Sequence, residues 1–237
     1  MVASLQMPVP DWGGTGRFSE NCELGRLLFT RIKQGDFHAP IRKLPSAVHL
    51  YSWGDSGDWL YLIQSGLVKS VTWSSAGKPC LLAIHGPADL LGVSGLLGQQ
   101  RSETAMTKTP TEIRAIAGAQ FRQIVADSLL RDAWHHYLTS WIAEQQETVT
   151  NFVTLDSKYR LATTLLRLAR KLGDRSGPLL CLSCRITHDE LGQMVGTTRS
   201  RIGYFLRCFE DEKLVEKHDQ TLVVHEDRIR DYLQTAP

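Results

Sequence analysis

The stretch that most constrains this chain runs from Ile186 to Glu212, ITHDELGQMVGTTRSRIGYFLRCFEDE. Thr187, with Glu190 three residues later, supplies the reciprocal cap that opens a helix. Leu191, Met194 and Val195 then share one helical face, and Gly196 provides the left-handed residue that ends it. Thr197 and Thr198 each offer an N-cap for a second helix. In that helix Ile202, Phe205, Leu206 and Phe209 gather on one side, while Arg199, Ser200, Gly203, Tyr204 and Arg207 occupy the other. Two short helices, a tight glycine turn and an outward basic face describe a helix-turn-helix. The caps, the turn and that face together weigh against an ordinary αα-hairpin in a helical core.

The remaining bulk properties set limits. A chain of 237 residues is long enough for one large domain or two small ones. Its net charge of +2 is too near neutral to argue for nucleic acid. The distribution says more: Asp156 to Arg175 holds six Lys or Arg against two Asp, and Arg199 to Arg207 holds three Arg and no acid. Local basic segments suit a DNA module joined to a non-DNA module. Five cysteines, with no signal-peptide pattern, argue for a reducing cytoplasm. No apolar run approaches the roughly 20 residues that span a bilayer, so no membrane role is expected. Residues 1–20 read as a mobile tail.

Cys22 to Ile32 then carries Leu24, Leu27, Leu28 and Ile32 at helical spacing. From Ala47 short apolar runs take over, at Val48–Trp53, Trp59–Gln64, Leu67–Trp73 and Cys80–Ile84. Gly54-Asp55, Ser65-Gly66, Ala76-Gly77 and Gly86-Pro87 separate them, and further strands follow at Glu103–Met106 and Glu112–Ile116. Such spacing indicates an antiparallel barrel or sandwich over residues 21–128. From about Leu129 a heptad seam emerges: Trp134, Leu138, Trp141, Gln145, Thr148, Phe152 and Leu155. A helix over 129–156 would be about 40 Å long. It has no matching stripe within the chain, so its natural partner is its own copy; packing on its own β-module is the alternative. Arg160 to Lys171 is amphipathic, with Leu161, Leu165 and Leu168 inward. Gly173 to Pro178 reads as a loop and Leu179 to Ile186 as a strand. Leu222–His225 closes a hairpin, and Arg228 to Leu233 is a terminal helical turn.

Residues 186–225, with the GTTR turn and the hairpin LVEKHDQTLVVH, resemble the winged helix-turn-helix of the CRP/FNR family of bacterial transcription regulators. The resemblance extends, more loosely, over most of the chain beyond the first twenty residues. It implies an α+β architecture: an N-terminal antiparallel β-roll like the cyclic-nucleotide-binding fold, a long dimerisation helix with a hinge near Asp156, and a winged helix-turn-helix over 157–237. Gly54, Gly66, Gly77, Gly92 and Gly95 stand where that β-roll has its turn glycines. It also implies a homodimer on a pseudo-palindromic duplex, contact with RNA polymerase, and no catalytic site.

Within the DNA-binding half, the second helix would enter the major groove with its N-terminal residues nearest the bases. Arg199 suits a bidentate contact to guanine, worth about 1–3 kcal/mol of discrimination, and matches the family's base-reading arginine. Ser200 and Tyr204 share its face, where cyclic-AMP receptors carry Glu and Arg, so an altered operator is expected. Thr187, His188, Thr198 and Arg201 are expected on phosphates. In the sensor half, cyclic-AMP receptors hold the ribose through a Glu after the cassette glycine. Here Gly92 is followed by Val93 and Ser94. Arg101 and Ser102 match the family's phosphate-holding Arg-Ser pair, although the loop from Gly92 is shorter by two residues. Gln145 and Gln146 replace its adenine-facing Thr-Ser. Losing the carboxylate costs roughly 1–3 kcal/mol at the ribose hydroxyl, which argues against cyclic AMP bound in the usual way.

Other sensors find little support. An FNR-type iron–sulfur cluster needs several N-terminal cysteines, and only Cys22 is there. Cys80 and His85 match no specific haem spacing, and no metal site is expected. Cys181-x-x-Cys184 leaves two rivals open: a regulator set by abundance or thiol oxidation rather than by a small-molecule effector, and a thiol–disulfide protein. Against the second, no thioredoxin-like βαβ pattern accompanies the pair.

Overall fold

The computed structural model describes residues 23–182, 184–218 and 221–235. The expected N-terminal tail and Cys22 lie outside them. Helix α1 (Glu23–Gln34) buries Leu24 and Leu28, the inner face of its apolar stripe. Strands β1 (Ile41–Leu44), β2 (His49–Tyr51), β3 (Trp59–Ser65), β4 (Val68–Trp73), β5 (Pro79–His85) and β6 (Leu90–Leu91) follow. A 3-10 turn over Val93–Leu97 precedes β7 (Thr104–Thr107) and β8 (Thr111–Ala117). Then come α2 (Gly118–Ile124), α3 (Ser128–Thr154), α4 (Ser157–Leu172), β9 (Asp174–Ser176), β10 (Leu179–Leu182), α5 (His188–Val195), α6 (Arg199–Asp211), β11 (Val215–His218), β12 (Thr221–His225) and α7 (Glu226–Gln234).

Among the described residues the strands form three antiparallel four-stranded sheets, ordered β1-β8-β3-β6, β2-β7-β4-β5 and β11-β12-β10-β9. Strand β3 is buried on both faces, which explains its unbroken apolar run. Leu60 and Leu62 pack toward α1 and α3, while Tyr61 and Ile63 point the other way, into the interior shared with Val68 and Ile113. The expected β-module is therefore present, with β1, β6 and α2 added. Two expectations need correction. The stretch Gly173–Pro178 is not all loop, since β9 pairs with β10 through Ser176↔Leu179 and Asp174↔Cys181. The strand also stops at Leu182, because β12, its partner on the other side, is matched only from His225 to Leu222.

Helix α3 spans 27 residues, opened by Asp127, whose carboxylate accepts the Leu129 and Leu130 N–H groups. Leu155 ends it, and Asp156 caps α4 by accepting from Lys158 and Tyr159. The heptad stripe, though, does not all face outward. Trp134 packs on the α1/β3 core and meets Phe121 edge-on, 5.1 Å between ring centroids. Leu138 and Leu155 are half-buried. Thr148 accepts a hydrogen bond from Arg167 of α4 at 2.9 Å. Phe152 lies under the Arg160 guanidinium, 4.9 Å away, and against Gly196. The stripe reads through because a near-3.5 period drifts around a straight helix. Its ends face the chain's own two modules. The large apolar residues of α3 left in solvent are Leu129, Trp141, Ile142, Val149, Phe152 and Val153, of which Trp141 and Phe152 lie on the predicted line and Ile142, Val149 and Val153 beside it.

Nor are the two modules' cores separate. Val71, Leu81 and Ile84 of β4 and β5 join one buried cluster with Leu161, Leu165 and Leu168 of α4 and with Leu191 of α5.

Candidate nucleic-acid interface and sensor pocket

The DNA-facing frame is built from its caps. Thr187 Oγ1 accepts the Glu190 N–H at 3.1 Å, and Glu190 Oε2 accepts the Thr187 N–H at 2.9 Å. The chain then turns at Gly196, with φ 74°, and restarts at Thr198, whose hydroxyl accepts the Arg201 N–H at 3.3 Å. Of the two possible caps Thr198 is the one used, so Thr197 is left half-buried in the turn. Ile202, Phe205 and Phe209 are buried beneath α6. That leaves Arg199, Ser200, Arg201, Tyr204 and Arg207 exposed along one continuous side. Ser200 shares a hydrogen bond with Thr198 at 3.1 Å, which ties a predicted base-reading hydroxyl to the cap. Tyr204 remains 59% exposed.

Gly203 lies beside the first residue of α5: a Cβ there would be in ordinary contact with the His188 ring, 3.4 Å from Nδ1. His188 has its pKa lowered by burial and by the positive charges of Lys217 and Arg199, partly offset by Glu210. The wing hairpin β11–β12 is in register from Val215↔Val224 to His218↔Thr221 and brings Lys217 to the same side. Lys217 went unnoticed in the sequence, since an isolated lysine in a hairpin carries no pattern.

In the sensor half, Arg101 is only 3% exposed. Its guanidinium donates to the Gly92 carbonyl at 2.5 Å and the Trp59 carbonyl at 2.7 Å, and it lies 4.5 Å over the Tyr51 ring. Gly92 and Gly95 form the wall around it; a Cβ on either would come within 2.6 Å of Arg101 Nη1. The Ser94 hydroxyl is buried beside this wall with no hydrogen-bond partner among the described residues. Val93 packs on the α1/β3 core. Ser102 donates to Glu103 at 2.5 Å, and the same carboxylate accepts from Tyr51 at 2.6 Å. Burial and then the Glu103 charge push the Tyr51 phenol well above its ordinary range. Gln145 and Gln146 line an open groove with Trp141, Ile142, Val149 and Thr150; the structure does not bring Arg101 into that groove.

The cysteine pair does not look reactive. Burial raises both thiols, Asp174 adding to the effect at Cys181, and Cys184 reaches about 11 even with Lys108 pulling it down. His85, on the sensor side, hydrogen-bonds Ser70 at 2.9 Å and sits 3.8 Å from Asp89. Burial and then the Lys171 charge depress its pKa to about 4, although Asp89 pulls the other way. No group of three or more His, Cys, Asp or Glu side chains among the described residues is arranged to hold a metal ion.

The comparisons match both halves. Residues 41–128 match the cyclic nucleotide-binding domain and residues 159–232 the Crp-like helix-turn-helix domain. The chain is 34% identical over 197 residues to the cAMP-activated global transcriptional regulator CRP of Salmonella typhimurium, covering 79% of this chain and 90% of that one. This chain belongs to the CRP/FNR family of transcription regulators. The family is one of DNA-binding regulators, not enzymes, and DNA is the partner that membership implies. A CRP-like cAMP-activated regulator of Mycobacterium tuberculosis is 27% identical over 198 residues, 76% of this chain and 81% of that one. The same fold occurs in FixK2 of Bradyrhizobium japonicum, with a TM-score of 0.71 at 16% identity over 82% of this chain and 97% of that one. It occurs also in a CRP/FNR family transcriptional regulator of Thermus thermophilus, with a TM-score of 0.67 at 20% identity over 84% and 100% of the two chains. No helix among the described residues is long and apolar enough to cross a membrane.

Proposed function

We propose that the chain works in the cytoplasm as a symmetric dimer gripping a pseudo-palindromic duplex, with Arg199, Ser200 and Tyr204 at base edges. Thr187, His188, Thr198 and Arg201 contact phosphates, joined by Lys217 of the wing. The observation that carries this reading is the exposed basic side of α6, held outward by a capped frame whose other side is buried. The dimer seam runs along the solvent-facing stripe of α3, through Trp141, Ile142, Gln145, Val149 and Val153. Two-fold symmetry then sets the recognition helices about 34 Å apart, one turn of DNA. RNA polymerase is the expected downstream partner. Selection of bound duplexes by the full chain tests the reading. Arg199→Ala is expected to weaken the selected site by about 1–3 kcal/mol per half-site and to relax its sequence.

The sensor takes a small anionic group. A buried guanidinium whose hydrogen bonds go to carbonyls, beside an unpartnered buried hydroxyl at Ser94, has positive charge and a donor to offer. Val93 gives a ribose hydroxyl no carboxylate, which disfavours cyclic AMP in the pose of the cyclic-AMP receptors. One observation favours a second reading, DNA binding without any effector: the Arg101 guanidinium is hydrogen-bonded to the Gly92 and Trp59 carbonyls and stacked on Tyr51. Operator affinity unchanged across a panel of nucleotides and phosphate would support that reading.

A further inference from the structure

The sensor and the DNA-reading helices are joined through one carboxylate. Glu190 is buried at 9% exposure, although it lies on α5 of the helix-turn-helix. Besides closing the α5 cap, it receives Lys108 of the β7–β8 turn, whose ammonium donates to both carboxylate oxygens at 2.7 Å. Lys69 of β4 stands 3.9 Å away. Both partners of the main pair are nearly enclosed, with side chains 12% and 11% exposed. An ion pair so desolvated is a poor source of net stability but a specific one, since breaking it strands a charge.

Lys108 also occupies a telling place in the chain. It directly follows β7, and Arg101 lies just before the same strand. Strand β7 is held on both edges, by β2 and by β4, and the Lys108 N–H donates to the Leu67 carbonyl at 2.7 Å. The doubly paired strand β7 thus lies between the buried Arg101, three residues before its start, and the lysine that grips the α5 cap. At its far end Glu190 holds the backbone of Thr187, next to His188, the two residues assigned to phosphate.

We propose that Glu190 is a positioning residue for DNA binding, through which displacement of Arg101 is passed along β7 and Lys108 to the first helix of the helix-turn-helix. This rests on the DNA-reading role assigned above, but not on the identity of any effector.

The link is separable from the cap, because a glutamine at the third helical position still accepts the reciprocal hydrogen bond. Glu190→Gln therefore keeps α5 capped and discharges the grip of Lys108. The test is a double-mutant cycle in the full-length protein, read as affinity for the selected duplex and as hydrogen exchange of residues 186–192. Arg101→Met is expected to change affinity at least about fivefold and to speed exchange in that segment. In the Glu190→Gln or Lys108→Met background the same Arg101 substitution moves affinity by less than about twofold, and Lys108→Arg restores the coupling. Arg101→Lys serves where Arg101→Met does not fold. Equal effects of the Arg101 substitution with and without Glu190, or unaltered exchange at 186–192, would overturn the proposal. Should Arg199→Ala leave DNA affinity untouched, the DNA-reading role fails instead, and the exchange measurement still decides the link.

Discussion

Replacing Val149 with Asp tests where two copies of α3 meet. Val149 is 63% exposed in the single chain, so a seam along its stripe would bury most of a valine from each copy. Full burial of such a side chain gives about 1.5 kcal/mol, so the exposed share is worth about 1 kcal/mol per copy and about 2 kcal/mol per dimer. Two carboxylates brought together on a closing apolar face add a desolvation and repulsion cost of about 2 kcal/mol or more. Since about 1.4 kcal/mol is a factor of ten, the dimer constant should weaken roughly a thousandfold. Sedimentation equilibrium over a concentration series measures it. Trp134→Ala is the control: that indole packs on Phe121 and the α1/β3 core, so its loss should cost stability and leave association within a few-fold. The reasoning fails if Val149→Asp dimerises like the parent protein while Trp134→Ala separates the subunits. That pattern would favour the seam read from heptad spacing alone.

Three further outcomes are expected. Glu226 is 4% exposed and pairs with Arg170 and Arg175 at 2.8 Å and Arg230 at 3.0 Å, so Glu226→Gln should lower unfolding stability by about 1–3 kcal/mol in urea titration. Burial works against its charge, yet the Arg170 and Arg175 hydrogen bonds and charges outweigh that and hold its pKa below the ordinary carboxylate value. A depressed native pKa means the contribution is full above the unfolded value near 4.5 and disappears as pH falls through the native one; the variant's pH–stability curve should be flatter in that acid window. Thr198→Ala removes the hydroxyl that caps α6 and should cost about 1 kcal/mol, detectable as a lower thermal midpoint and faster exchange of the Arg201 amide. Cys184, with its thiol raised to about 11, should react with iodoacetamide at pH 8 far more slowly than a free cysteine, and the DNA affinity of the parent protein should be indifferent to mild oxidant; rapid alkylation, or an oxidant effect that Cys184→Ser abolishes, would revive the thiol-sensing alternative.

Much of this was legible because local signals agreed with one another. The Thr187–Glu190 capping box, Gly196 and Thr198 are short-range features, and the structure places each at the helix end where its chemistry belongs. The strands over 48–116 were readable for the same reason, through turn residues at regular spacing. What escaped the sequence is long-range. A heptad pattern fixes which residues share a line on α3 but not which neighbour each will meet, so the contacts of Trp134 with the α1/β3 core and of Phe152 with Arg160 were not legible. The sequence marks Arg101 only as a match to the family's phosphate-holding arginine, because nothing local reveals carbonyls arriving from Trp59 and Gly92. Glu190 was recognised as a cap; its second partner lies 82 positions away, beyond the range of any spacing rule.

Hydroxyl-radical footprinting of the selected duplex, with parent protein and with Arg199→Ala, addresses the main conclusion most directly. Two protected patches about one helical turn apart, both faded by the substitution, are the predicted outcome. A single patch, or protection that ignores the loss of Arg199, would contradict a symmetric pair of α6 helices seated in the major groove.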